Sequence, residues 1–306
     1  MPQTVLETLA AGLLGFFTAG WSVLAGADLG LGMVLPYLAR GPHERRLAVA
    51  AVVPFFLGSE VWLVAAAGVF TGCFTVLEGE LFQGHAMVLI PLLAGWMLRD
   101  TGLWWHVNGQ PRGGRRGGLA LGDWLVTGGS WAVALSWGWL LAGLFAGTPG
   151  HAAGGFPAAL TALGVAALFA AHGLAFGALR LTGGPRERAR RLTVRALGPR
   201  RALAVTGLAM AVLPPAAGAR LPLAESAVTE PVLGLLVPAL LAVLPLLLAA
   251  QVWMWRSFTR RPWRPVPPSA GGAPASSAGS PAPAADPPPP DDSTLVLRQD
   301  RKEGDS

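Results

Sequence analysis

The residues able to do chemistry in this sequence are few. Asp28, in Gly26-Ala27-Asp28-Leu29-Gly30-Leu31-Gly32, and Glu60, in Gly58-Ser59-Glu60-Val61-Trp62-Leu63, each interrupt a long apolar run. An ionised carboxylate at membrane depth costs a few kcal/mol, so each acid needs a partner, a proton or a wet cavity. Two readings stay open for both: a proton relay or ion pair, or a structural hydrogen bond between helices. Asp123, in Gly122-Asp123-Trp124, opens a later apolar run and reads as an interfacial helix cap beside an aromatic anchor. Of His43, His85, His106, His151 and His172, only His172 falls clearly within a predicted helix. It could ligate a haem or metal, or hydrogen-bond to a neighbouring helix. No HxxH or HExxH spacing supports a metal site. Ser59 and Ser130 have no triad partners in sequence, and Cys73, the single cysteine, excludes an internal disulfide, a CxxC pair or a cysteine-rich metal site. Gly30-Leu31-Gly32 lacks the preceding strand and third glycine of a nucleotide loop.

The elements that carry these residues are membrane helices. Of 306 residues, 52% are hydrophobic and 13% charged, with a mean hydropathy of +0.49, against about 25% charged in soluble chains. Seven stretches are long and apolar enough to approach a bilayer crossing: about 8–39, 47–74, 85–98, 120–147, 155–179, 202–218 and 231–255. The third is short unless 81–84 join it, and Pro214 and Pro215 weaken the sixth. The first lacks the basic leader of a signal peptide, carries Glu7, and is read as a membrane helix. The net charge of +6 could suggest nucleic acid, but the bases sit in short connections between apolar runs, so no nucleic-acid partner is expected. Nineteen of the 23 Lys and Arg fall in alternate connections, with Arg99 counted in the third-to-fourth one. The remaining connections hold only Arg220 against Glu78, Glu80, Glu225 and Glu230. This pattern predicts the N-terminus outside and the C-terminus cytoplasmic. The fifth-to-sixth connection, 180–201, could also meet anionic membrane lipid or an acidic partner loop. The fold class is therefore all-α, a polytopic bundle over 1–265, followed by a disordered Pro/Ala/Ser-rich cytoplasmic tail over 266–306.

In order along the chain, these motifs resemble subunit II of the cytochrome bd-type quinol oxidases. Asp28-Leu29-Gly30-Leu31-Gly32-Met33 is similar to the family's Gly-Phe-Asp-Leu-Gly-x-Gly-Met near the end of its first helix. Glu44-Arg45-Arg46 matches the Glu-Arg-Arg opening its second helix, and Gly58-Ser59-Glu60-Val61-Trp62-Leu63 resembles its Trp-Asp-Gly-Asn-Glu-Val-Trp-Leu. Leu81-Phe82-Gln83-Gly84 and Leu98-Arg99 stand where the family has Leu-Phe-Ser-Gly and Leu-Arg. Asp123-Trp124, His172-Gly173 and Arg186-Glu187-Arg188 continue the resemblance, which covers roughly 10–195.

The resemblance implies a haem-free subunit with no catalytic, cofactor or metal residues of its own. Its expected partner is a homologous subunit I that holds haem b and haem d, oxidises quinol and reduces oxygen to water, building a proton gradient across the bacterial plasma membrane. Asp28 and Glu60 become candidates for a proton path or buried polar interface. Gly30, Gly32, Glu44, Arg45, Arg46, Trp62, Arg99, Asp123 and His172 are motif and structural positions. Two family acids linked to proton supply are replaced here by Ala25 and Leu57, and seven helices are counted where the family has nine. A transporter component or a non-respiratory scaffold are the alternative readings.

Overall fold

The computed structural model describes residues 3–108, 116–193 and 197–260. The compositional tail over 266–306 lies outside them. The described residues form helices and no strands: α1 (Gln3–Leu38), α2 (Pro42–Cys73), α3 (Thr75–Gly84), α4 (Ala86–Asn108), α5 (Arg116–Phe145), α6 (Gly155–Arg180), α7 (Gly183–Leu192), α8 (Gly198–Gly218) and α9 (Glu230–Arg260). Six are long and apolar enough to cross a membrane, or seven when the bent α2–α3 pair counts as one span.

The position of α1 explains its burial pattern. In its first half only one stripe is buried, Leu6, Ala10, Leu13, Phe17 and Trp21, at the three-to-four-residue spacing of a one-sided helix. From Ala25 to Leu35 every residue is buried, because α2, α5, α6, α7, α8 and α9 all pack against α1. Small residues permit this. A Cβ on Gly30 would overlap the Phe169 carbonyl, and one on Gly173 would overlap Gly30, so α1 and α6 touch backbone to backbone. A Cβ on Gly32 would likewise overlap the Ser130 hydroxyl on α5. The α4–α5 pair closes the same way: Cβ atoms at Gly95 and Gly102 would meet the Gly129 carbonyl at 3.0 Å and the Gly122 carbonyl at 2.8 Å.

Three expectations need correction. The connection 75–84 is the helix α3, folded back from α2 by 114°. The bend frees the Cys73 carbonyl, which accepts the Val228 N–H at 3.0 Å. The fifth-to-sixth connection also contains a helix, α7. The largest correction concerns the third stretch. It gains nothing from 81–84, which belong to α3, and instead continues past Arg99 and Asp100 to Asn108 as α4. Arg99 is therefore no connecting-loop base but a buried residue inside a helix.

Candidate functional site

Close packing of α1, α2, α4 and α5 assembles the site. Asp28 reaches in from the fully buried part of α1. Arg99 reaches it from α4, where Gly95 and Gly129 bring the helices close enough for the guanidinium to cross. Arg99 Nη2 lies 2.8 Å from Asp28 Oδ1 as an ion pair, and both side chains are all but inaccessible. Removing both charges from water is expensive, and mutual attraction in the low-dielectric interior offsets this only at close range. Ser59, on α2, donates its hydroxyl toward Asp28 Oδ2 at 3.4 Å. Arg99 Nη1 also donates to Asp100 Oδ1 at 3.0 Å. Glu60 is half-buried on α2, close enough for its charge to act on Asp28 and Asp100. The structure thus places two carboxylates on one guanidinium, with a third acid near them.

A cavity of about 10 Å³, near the lower limit for one water, opens beside the pair. Apart from Asp28 and Arg99 its walls are apolar or glycine, including Leu35 on α1, Val49 on α2, Leu103 on α4 and Val126 on α5.

One helical turn beyond these walls lies a second polar station. Asp123 Oδ1 is 2.9 Å from His106 Nε2 on α4, and its Oδ2 accepts a hydrogen bond from Arg45 on α2. His106 Nδ1 lies 3.0 Å from the Gly102 carbonyl, and Arg45 Nε donates to the Ala39 carbonyl at 3.2 Å. Asp123 is not the helix cap expected from sequence. Because α5 begins at Arg116, Asp123 sits two turns in and spends its oxygens on side chains of other helices. His106, which the apolar stretches do not place clearly within a helix, is buried within α4. Farther out, Glu44 accepts from Arg188 on α7 and from the Arg40 backbone N–H at 2.9 Å, while Arg188 Nε donates to the Leu38 carbonyl at 2.7 Å. The Arg188 guanidinium holds the Glu44 carboxyl below the ordinary carboxylate range.

The other motif residues act in packing. Trp62 covers Gly20, meets the Phe16 ring at 5.2 Å and donates its indole N–H to Gln251 on α9 at 3.4 Å. Arg46 is half-buried, and its Nε has no hydrogen-bond partner among the described residues. His172 joins neither station: its Nδ1 is 2.7 Å from the Thr206 hydroxyl, tying α6 to α8. Among the described residues no three His, Cys, Asp or Glu side chains converge as metal ligands.

The sequence reading named Arg99 only as a motif position, counted as a connection base, and missed His106 and Asp100 as site residues. A signal was present. Val88, Leu92, Gly95, Arg99, Gly102 and His106 repeat at alternating intervals of four and three, which carries one buried helix face straight through the charges.

Sequence comparisons cover the segment that carries both stations. The sequence model described as cytochrome bd terminal oxidase subunit II matches residues 6–205, which include every residue of both stations. The chain is 28% identical over 137 residues to cytochrome bd-I ubiquinol oxidase subunit 2 of Escherichia coli (strain K12), covering 45% of this chain and 35% of that protein. It is 28% identical over 196 residues to cytochrome bd ubiquinol oxidase subunit 2 of Bacillus subtilis (strain 168), covering 61% of this chain and 57% of that one. The chain thus spans about a third to somewhat over half of these relatives' lengths. With more than half of its residues matched and an all-helical, membrane-spanning bundle, this chain belongs to the cytochrome bd terminal oxidase subunit II family.

Proposed function

We propose that this chain is the haem-free subunit of a quinol-oxidising terminal oxidase and pairs with a haem-bearing subunit I. In this reading haem b and haem d reside in the partner, where quinol is oxidised and oxygen is reduced to water. The observation that supports it most is the meeting of two family-like motifs, Asp28-Leu29-Gly30 and Leu98-Arg99, as one buried ion pair inside the matched segment. A lone charge could not be held there, so the pair gives both motifs a shared physical purpose.

The basic end of the bundle, carrying Glu44-Arg45-Arg46 and α7, faces the cytoplasm in this proposal, as the charge pattern predicts. The Arg45–Asp123–His106 station then lies nearest the proton source, with the small cavity between it and Asp28. Arg99 keeps Asp28 charged or releases it to take a proton, and Ser59, Glu60 and Asp100 extend the polar cluster. Any proton moving through this subunit uses these groups, since Ala25 and Leu57 stand where the family has acids. The test is oxygen uptake by the complex purified through a tag on this chain, with a short-chain quinol as donor. Quinol-dependent uptake in the wild type and a several-fold loss in Asp28→Asn or Glu60→Gln complexes of normal assembly are expected. Unchanged turnover in both variants would remove the proton role while leaving the structural one.

The replaced acids favour one other reading specifically, a scaffold that has kept the framework without respiratory turnover. An assembled complex with haem but no quinol-dependent uptake would support it.

A further inference from the structure

Among the described residues a half-buried cation, Arg180, belongs to neither station. Arg180 ends α6, and its guanidinium carbon lies 4.7 Å from the centroid of the Phe55 ring on α2 and 6.0 Å from those of Phe176 on α6 and Trp255 on α9. The rings are themselves packed edge to face, Phe55 on Phe176 at 5.4 Å and Phe55 on Trp255 at 4.9 Å. Three helices thus build an aromatic basket around one guanidinium.

Aromatic faces attract the positive charge but leave the in-plane N–H groups without acceptors. Arg180 Nη2 is closed off from solvent and has no hydrogen-bond partner among the described residues. Arg45, Arg99, Arg188 and Arg191 each pair with a carboxylate, whereas no ion pair among the described residues involves Arg180. Acids are scarce on the adjoining helices. Between 155 and 186, and again between 198 and 224, there is no Asp or Glu, and α9 has only Glu230, at its far end.

Other cations share this level. His172 faces Thr206 across α6 and α8, and following α6 forward to Arg180 while following α8 back equally far arrives at Gly198. Arg200 and Arg201, both exposed, follow directly, and exposed Arg256 follows Trp255. Beyond this rim the outer faces of α8 and α9 are apolar: Val205, Leu208, Val252 and Trp253 are all more than half exposed.

We propose that the Arg180 basket binds the phosphate of an anionic phospholipid headgroup, with the acyl chains along the outer faces of α8 and α9. The guanidinium charge and its N–H donors suit a phosphate oxygen, and the apolar faces favour a lipid over free phosphate. This inference stands apart from the oxidase reading, since it uses neither station.

The test uses the delipidated, tagged full-length complex and follows its thermal midpoint as phosphatidylglycerol, phosphatidylcholine or inorganic phosphate is added. Phosphatidylglycerol raises the wild-type midpoint more than phosphatidylcholine, inorganic phosphate does not, and Arg180→Met weakens the half-saturating phosphatidylglycerol concentration by roughly ten-fold. Arg191→Gln, which changes an exposed α7 base paired to Glu187, keeps the wild-type response. An unaltered response in Arg180→Met, an equal loss in Arg191→Gln, or equal effects of the two lipids would overturn the proposal. Inorganic phosphate reproducing the shift would overturn the lipid assignment. If Arg180→Met does not assemble, native mass spectrometry of the wild type decides: preferential retention of phosphatidylglycerol is expected, and equal loss of both lipids contradicts the site.

Discussion

The two polar stations use the same chemistry at different depths. At Asp28–Arg99 both side chains are nearly inaccessible, at 2% and 3%, whereas at Arg45–Asp123 the exposures are 29% and 11%. In the outer station water can compensate a lost partner. In the inner one only the remaining protein can, so the inner pair makes the greater demand on assembly. The difference also separates their uses: the inner pair fixes α1 against α4, while Asp123 gathers α2, α4 and α5 at the basic end.

The largest effect is expected from breaking the inner pair on one side. Arg99→Met strands Asp28 and should cost about 3–5 kcal/mol, seen as a collapse of the thermal midpoint or of purified yield. Asp28→Asn strands Arg99 more mildly, because Asp100 still accepts from it. Asp28→Leu combined with Arg99→Met should recover much of the loss, and strict additivity would show that the two do not act as a pair.

Next comes the outer station. Asp123→Asn removes the charge and leaves one acceptor oxygen where Arg45 and His106 each use one, and should cost about 1–3 kcal/mol, again read from thermal unfolding. The double-mutant coupling of Asp123 with His106 should exceed that of Asp123 with Arg45, because the exposed arginine can turn to water.

These predictions also mark what was legible in the sequence. Among the described residues six of the seven apolar stretches fall on helices long and apolar enough to cross a membrane, and the second falls on the bent α2–α3 pair, because burying backbone in lipid demands helices of about that length. Asp28 and Glu60 stood out for the converse reason, as charges in runs that should hold none. Arg99 was hidden because a cation after Leu98 looks like the end of a span, and its partner lies far away in sequence. Asp123 was misplaced by the same logic: hydropathy starts the helix near 120, while the backbone starts it at Arg116. Composition finds where apolar surface is, but a compensated charge lets the helix continue, and compensation is a tertiary fact.

The smallest effect is at Glu44–Arg188, the most exposed of the interhelical pairs, with side chains 30% and 22% accessible. Because Arg188 lowers the folded-state pKa of Glu44, its contribution is complete above the unfolded carboxylate value and fades as pH falls through the folded one. The midpoint difference between wild type and Glu44→Gln should therefore be constant near neutrality and shrink in acid. Added salt should also shrink it, while leaving the effect of Arg99→Met nearly unchanged.

The central claim is that this bundle serves as the haem-free half of a haem-bearing oxidase. A reduced-minus-oxidised visible spectrum of the detergent complex, purified through a tag on this chain, tests it most directly. Haem b and haem d bands rising in proportion to the tagged protein are predicted. A folded preparation without haem, obtained under conditions that keep membrane complexes together, would contradict the claim.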